Sequence, residues 1–294
     1  KARQLMVSGA RIFAAEAAQR RRRLLLWIAG FGALSLCIAL AARLADTSLA
    51  RLIDGFPHIE GFFAQALPHL SSEHLLGDVR TQGSLHYWFY DIGKWLGLIA
   101  TSINMALMAT FLGVLAGWPL SFLAARNLSP SPTVSLVTRR LLDLLRALPD
   151  LVVALVLVMA LGVGPLAGVL AIAIHTSGAL GKLIAEANEN APMQAREAMI
   201  AAGAGWVTQM RFAIVPQALP NVVSYLLIRL EINVAAAAAI GFVGAGGIGQ
   251  EFMAALSLGL LPDALAILVL IVGLIMAIDM ISQAVRRRLS GVRA

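Results

Sequence analysis

Charged residues are scarce in this chain, and their scarcity excludes an ordinary soluble protein. Aspartate, glutamate, lysine and arginine make up 13% of the 294 residues, whereas hydrophobic residues make up 59%. A soluble domain carries about 25% charged residues, which helps to keep its surface hydrated. We therefore expect most of this chain to face lipid or other helices.

Cysteine is almost missing as well, since Cys37 is the only one in the sequence. One cysteine cannot form an internal disulfide and cannot supply a cysteine metal site. Cys37 lies within an apolar run, so we interpret it as a packed or lipid-facing side chain. We predict neither a metal site nor redox chemistry.

The sequence also lacks a phosphate-binding loop, whose pattern is Gly, four residues and then Gly-Lys-Ser/Thr. A glycine run at 244–249 resembles a dinucleotide-binding turn, but it follows a predicted membrane span instead of a β-strand. We interpret that run as a close turn at the mouth of a pathway. Ser177 lacks the flanking glycines of a nucleophile elbow. We therefore predict a non-catalytic chain without a cofactor of its own.

What the sequence does contain is a series of apolar runs. Each is near the length of about 20 residues that crosses the hydrocarbon core of a bilayer. We predict an all-α membrane protein with about six transmembrane helices, at residues 24–42, 98–125, 141–161, 166–183, 218–240 and 261–285.

Lysine and arginine are distributed unevenly over the two sides of the membrane. The N-terminal tail, the loops after the second and fourth spans and the C-terminal tail carry most of them. The other side has only Arg43, Arg51, Arg80 and Lys94. Because lysine and arginine accumulate on the cytoplasmic side, both termini are predicted to be cytoplasmic. The arginines cluster at the ends of apolar runs, which indicates contact with membrane lipid and not with nucleic acid.

Residues 196–216, called the knuckle below, lie between the fourth and fifth spans on the predicted cytoplasmic side. Glu197 and Ala198 open a short helix that is rich in alanine, a strong helix former. Gly203 and Gly205 then break it, since glycine tolerates the backbone angles of a sharp turn. A second, amphipathic stretch follows. We predict a helix–turn–helix whose small residues let another protein approach closely.

The knuckle resembles the coupling-loop motif of bacterial ABC importer permeases, which is Glu-Ala-Ala, three residues, Gly, nine residues, a hydrophobic residue, any residue, Leu and Pro. The spacing of Glu197, Gly203 and Pro216 is kept, while Met199 and Val215 depart from the motif. The resemblance implies that a cytoplasmic ATPase docks here, on Arg196, Glu197, Ala198, Ala202, Gly203, Ala204, Trp206, Arg211 and Pro216.

The segments at 174–189 and 225–249 resemble phosphonate-type importer permeases, and the similarity covers about residues 98–288. One departure is Ala235, where relatives often carry arginine; if that arginine contacts substrate, the substrate here differs. The resemblance implies a type I ABC importer permease in a bacterial inner membrane. The expected organisation has five parts. They are a basic cytoplasmic tail at 1–23, a first membrane helix at 24–42, a periplasmic loop at 43–97, a permease core at 98–288 with its coupling loop at 184–217, and a cytoplasmic tail at 289–294.

The same resemblance implies the partners. They are a second copy of the chain, two cytoplasmic ATP-binding subunits that hold ATP and magnesium, and a periplasmic or lipid-anchored substrate-binding protein. The substrate is expected to be a phosphonate. Three alternatives stay open: phosphite or hypophosphite, another small solute such as methionine, and an ATPase-independent channel or intramembrane enzyme.

Polar residues inside predicted spans are costly and are therefore functional candidates. Arg229 and Glu231 are two residues apart, so each needs a partner on another helix or another copy. Structural and pathway roles are equally open for both, whereas packing is favoured for His175. Arg146 and Asp150 are four residues apart, a spacing that allows a pair along one helix face, although Pro149 disturbs that turn. The candidate pathway residues are Thr101, Ser102, Asn104, His175, Thr176, Arg229, Glu231, Asn233, Gly244, Gly246 and Gly247.

Overall fold

The computed structural model describes residues 2–44 and 49–289, and every regular element in those ranges is a helix. The chain divides into two compact units, residues 1–64 and 65–294. The first residue of the predicted N-terminal tail, residues 45–48 of the predicted periplasmic loop and residues 290–294 of the predicted C-terminal tail lie outside the described residues.

The first unit consists of helix α1 (Ala2–Leu44) and most of helix α2 (Leu49–Ala66). Residues 19–44 of α1 are long and apolar enough to cross a membrane, which agrees with the predicted span at 24–42. Helix α2 was not predicted, because its apolar residues are too few for a span and Pro57 lies inside it.

The second unit carries four long apolar helices. They are joined by shorter elements, and the order is α3 (Leu85–Trp88), α4 (Ile92–Ala124), α5 (Pro132–Ala147), α6 (Asp150–Leu161), α7 (Pro165–Glu189), α8 (Gln194–Ala201), α9 (Trp206–Gln209), α10 (Val215–Ile240), α11 (Ile248–Ser257) and α12 (Leu261–Leu289). The described residues contain five helices that could each cross a membrane, or six spans if α5 and α6 count as one. The predicted number of spans is therefore confirmed.

The third predicted span is the one that needs correction, because residues 141–161 do not form one straight helix. Helices α5 and α6 meet at an angle of 81°. Pro149 has no N–H to continue α5, and its ring forces the residue before it out of helical geometry. Leu148 accordingly has φ −74° and ψ 123°. The chain is therefore broken in the middle of the segment that was expected to be continuous.

Small residues bring α4 and α7 into close contact. A Cβ atom on Gly117 of α4 would lie 2.7 Å from the carbonyl oxygen of Ser177 and 3.0 Å from the nitrogen of Gly181, both on α7. A Cβ atom on Gly178 would meet the backbone of α5 at 2.7 Å. Close approach of backbones at small residues is a common way for helices to associate in a membrane. Helix α7 therefore packs between α4 and α5.

The glycine run after α10 forms a tight turn, as predicted. Gly244, Gly246 and Gly247 have φ of 82°, 85° and 74°, which side-chain-bearing residues rarely adopt. Helix α11 begins directly after this turn, and the N–H of Ile248 donates to Ser102 Oγ at 3.0 Å. The turn thereby joins the start of α11 to α4.

The packing of α4 on α7 generates a stability prediction for Gly117→Val. The added side chain overlaps the α7 backbone, and overpacking of this kind costs about 1–3 kcal/mol. Thermal unfolding in detergent should therefore show a lower Tm than wild type. Gly97→Val is the matched control on the same helix, because nothing lies within 4 Å of its Cβ position. Equal Tm values for the two variants would contradict the close packing.

Candidate functional site

The knuckle begins in α8 and turns at Gly203, whose φ of 78° fits the predicted glycine turn. Its second arm differs from the expectation of a separate short helix. Helix α9 continues through a π-helical turn at Met210–Ile214 directly into α10. Pro216 lies in the first turn of α10, and Pro220 lies inside that helix. A movement of the second arm is therefore a movement of the membrane helix α10 itself.

Two of the predicted docking residues hold the knuckle to the rest of the bundle. Arg196 Nη1 donates to the carbonyl oxygen of Asn127 at 2.9 Å, and its Nε donates to Gln209 Oε1 at 3.2 Å. Trp206 Nε1 donates to the carbonyl oxygen of Leu128 at 2.7 Å. Both arms of the knuckle are thus fixed to the loop between α4 and α5.

Glu189, at the end of α7, completes this anchor. Its Oε1 accepts from the backbone N–H of Arg126 at 2.5 Å and also pairs with the guanidinium of Arg139 on α5. Its carbonyl oxygen accepts from Asn127 Nδ2 at 3.0 Å. Sequence reasoning missed these residues, because their partners are distant in the chain and carry no motif. The anchor joins the knuckle to α4, α5 and α7.

The outward side of the knuckle is exposed and partly apolar. Val207 is 69% exposed and Phe212 is 61% exposed, next to the charged side chain of Arg211. Exposed apolar groups of this kind mark surfaces that bind another protein. Six predicted docking residues are also exposed on this segment, namely Glu197, Ala198, Ala202, Gly203, Arg211 and Pro216, whereas Ala204 is half-buried.

A second group of polar residues lies inside the bundle and is called the Arg229 cluster. Arg229 is buried, donates from Nη2 to His175 Nδ1, and places its Nε 3.3 Å from Thr176 Oγ1. The expectation that Arg229 has a partner on another helix is therefore confirmed, whereas Glu231 takes no part in these contacts. Four helices contribute to the cluster, which consists of Thr110, Asp150, His175, Thr176, Arg229 and Asn233.

Asn233 ties the cluster together on its other side. Its Oδ1 accepts from Thr176 Oγ1 at 3.0 Å, and its Nδ2 donates to Thr110 Oγ1 at 2.8 Å. All three of these residues are buried. A buried polar group without a partner is costly, so this chain of hydrogen bonds satisfies the groups and also fixes how α4, α7 and α10 pack.

The predicted pair between Arg146 and Asp150 is wrong. Arg146 Nε instead contacts Asp143 Oδ1 at 3.2 Å, while Asp150 Oδ1 lies 3.4 Å from His175 Nδ1. The reason is the break at Pro149, which puts the two residues on helices that point in different directions. A cavity of about 330 Å³ adjoins the break and is lined by Asp143, Arg146, Ala147, His175 and Ala179.

The structure divides the predicted pathway residues into two groups. His175, Thr176, Arg229 and Asn233 meet in the Arg229 cluster. Two of the others lie on α4. Ser102 is buried against the start of α11, and Thr101 donates to the carbonyl oxygen of Gly97 at 3.1 Å. The remaining ones outside the cluster are Asn104, which is exposed on α4, Glu231 on α10, and the turn residues Gly244, Gly246 and Gly247.

The apolar helices, the buried Arg229 and the anchored, exposed knuckle agree with the resemblance to importer permeases. Residues 109–291 match the family of binding-protein-dependent transport system inner membrane components, and the chain belongs to that family. The family and the apolar helices together place the chain in an inner membrane.

Solved structures support the fold. The chain superposes on the inward-facing MetNI methionine ABC transporter with a TM-score of 0.58 at 21% identity, over 68% of this chain and 96% of that one. The fold is therefore that of a type I ABC importer permease, as the resemblance implied.

Two curated relatives are closer in sequence. The phosphate-import permease protein PhnE of Mycolicibacterium smegmatis is 40% identical over 193 residues, which are 65% of this chain and 36% of that protein. The phosphite transport system permease protein PtxC of Stutzerimonas stutzeri is 36% identical over 194 residues, which are 66% of this chain and 70% of that protein. The chain thus spans about a third of the first relative and somewhat more than two thirds of the second.

The Arg229 cluster generates a prediction for Asn233→Leu. This change leaves the hydroxyl groups of Thr110 and Thr176 without one partner each, and a lost buried hydrogen bond costs about 1–3 kcal/mol. The variant should unfold at a lower temperature than wild type in detergent. Asn104→Leu is the control, because Asn104 is exposed on its helix. If Asn233→Leu unfolds no earlier than the control, Asn233 does not hold the helices together.

Proposed function

We propose that this chain is the permease subunit of an ATP-driven, binding-protein-dependent importer for phosphorus oxyanions. A phosphonate is the first choice of substrate, and phosphite is the second. The observation that carries the proposal is the buried guanidinium of Arg229, which contacts His175 in the lining of a cavity at a broken helix. The curated relatives of the chain are named for phosphate and phosphite. An arginine inside a membrane bundle is costly unless it has a role such as binding an anion.

The charge distribution supports an orientation with both termini and the knuckle in the cytoplasm. In that orientation the exposed side of the knuckle faces the side where ATP is available. A pair of ATP-binding subunits would dock there, one on each copy of a permease dimer. ATP and magnesium would bind to those subunits, and this chain would hold neither. A substrate-binding protein would deliver the anion on the opposite side.

Coupling would follow the contacts of the knuckle. When the ATP-binding subunits close, they push on the exposed face around Val207 and Phe212. Because Arg196 and Trp206 fix the knuckle to the α4–α5 loop, and the second arm continues into α10, the push reaches three membrane helices at once. The break at Pro149 supplies a joint between two packings, and ATP shifts the balance between them.

Gly203→Asp tests the docking role of the knuckle. The new side chain has to adopt a φ of 78°, which costs of order 1–3 kcal/mol in local strain, and it adds a charge to the docking face. We expect the assembled importer to lose most substrate-stimulated transport while the subunit stays in the membrane. Uptake of radiolabelled substrate into proteoliposomes and immunoblotting of the membrane fraction measure the two effects.

Glu197→Lys should act in the same direction by reversing a charge on the exposed face. Glu73→Lys is the matched control, because Glu73 is exposed in the predicted periplasmic loop. A Gly203→Asp variant that transports at the wild-type rate would show that the knuckle does not couple the two proteins.

The substrate class is tested on the cognate binding protein. Isothermal titration calorimetry with methylphosphonate, phosphite, phosphate and methionine should give saturable binding for at least one phosphorus compound and none for methionine. If the binding protein binds only methionine, the substrate is not a phosphorus oxyanion, and the permease assignment stands. Solute movement by the purified subunit without any ATPase would overturn the importer assignment itself.

A further inference from the structure

Two side chains, Arg229 and Asp150, compete for His175 Nδ1. Arg229 Nη2 donates to that nitrogen, so the nitrogen carries no proton of its own in this arrangement. Asp150 Oδ1 lies 3.4 Å from the same nitrogen. That carboxylate oxygen is buried and accepts no hydrogen bond from any described residue. A buried carboxylate oxygen without a donor is costly, so a donor N–H facing Asp150 Oδ1 would stabilise the site.

The charges of the cluster explain what that proton would change. Asp150 and Arg229 carry opposite charges, so the cluster is neutral as long as His175 is neutral. A neutral cluster offers an anion no net charge to balance its own. With a proton on Nδ1, the cluster carries one positive charge, and one bound anion then restores neutrality. Charges buried in a low-dielectric interior need such compensation.

The hydrogen bonds show how the exchange can happen without unfolding the site. Once Nδ1 is protonated, its N–H donates to Asp150 Oδ1. The positive charge of the ring then repels the guanidinium of Arg229. Arg229 Nε lies 3.3 Å from Thr176 Oγ1, so this end of the guanidinium keeps a neighbour when the Nη end leaves His175. The two Nη groups then form a fork, which suits the oxygens of a phosphorus oxyanion.

The other charged groups around His175 pair with one another and do not compete for Nδ1. Helix α5 presents Arg146 and Asp143, which pair with each other, and Asp143 also accepts from Lys182 of α7 at 2.7 Å. Along α4, which packs closely on α7, the only titratable residue is Lys94 near the start of the helix. Asp150 and Arg229 are therefore the ionisable groups that compete for Nδ1.

We propose that His175 is a proton-binding residue that exchanges Arg229 for Asp150, so that one anion and one proton bind to the cluster together. The exchange is balanced: the guanidinium of Arg229 leaves Nδ1 and binds the anion, Nδ1 takes one proton from the solvent on the substrate side, and Asp150 Oδ1 accepts a hydrogen bond from the new N–H. This proposal rests on the proposed function.

The test uses the complete importer in proteoliposomes, with saturating loaded binding protein and a fixed pH on the ATP side. The pH on the substrate side is varied between 5 and 8.5. Because one proton binds with each anion, wild-type uptake should fall by about tenfold per pH unit once His175 is deprotonated. In His175→Gln the side chain can still contact Arg229 but cannot titrate, so the tenfold fall per pH unit should be absent.

Two further variants keep the test informative. His58→Gln, which changes an exposed histidine of α2, should retain the wild-type profile. Asp150→Asn should shift the profile to lower pH, because the protonated ring then loses its carboxylate partner. A merely structural role for His175 would lower uptake equally at every pH.

The outcomes separate the two proposals. If wild type transports a phosphorus oxyanion and His175→Gln keeps the same pH dependence, the proton exchange is wrong and the importer assignment stands. If Asp150→Asn leaves the profile in place, the exchange is likewise wrong. If wild type moves no phosphorus oxyanion at any pH, the proposed substrate class falls and the proton exchange falls with it.

Discussion

The close approach of α4 and α7 is the constraint on which the rest of the second unit depends. Gly117 brings α4 to within direct contact of the α7 backbone, and Gly178 does the same for α7 and α5. In lipid there is little hydrophobic driving force between helices, so small residues and buried hydrogen bonds have to supply the specificity. Both are present here, because Asn233 of α10 bonds to Thr110 of α4 and to Thr176 of α7, and so links the two helices that Gly117 brings together. The Arg229 cluster is held in place by this packing.

Much of the fold could be predicted from the sequence, because hydrophobic length and charge bias are strong signals in a membrane protein. The number of spans, the glycine turn at 244–247 and the sharp turn at Gly203 all followed from composition and residue type. The break at Pro149 is different. Proline ends or kinks a helix, but an apolar run on both sides made residues 141–161 look like one span. The angle of 81° between α5 and α6 is not specified by any local sequence pattern.

The candidate site was predictable in part, and the division follows the range of the contacts. The knuckle was recognisable because its residues are adjacent in sequence and carry a motif. Its anchor was not, since Arg196 and Trp206 find their partners 69 and 78 residues away. Arg229 could be predicted to need a partner, because a lone charge in a membrane is costly. Which partner it finds depends on helix rotation, and the sequence does not specify that.

The anchor of the knuckle has a consequence for how this region can change during evolution. Arg196 and Trp206 both donate to main-chain carbonyl oxygens, of Asn127 and Leu128, and every residue type supplies such an oxygen. Substitutions at the acceptor positions therefore do not remove these two bonds, whereas loss of either donor does. Selection should act on one side of each contact only. Paired substitutions, the usual statistical trace of two residues in contact, are not expected for this interaction.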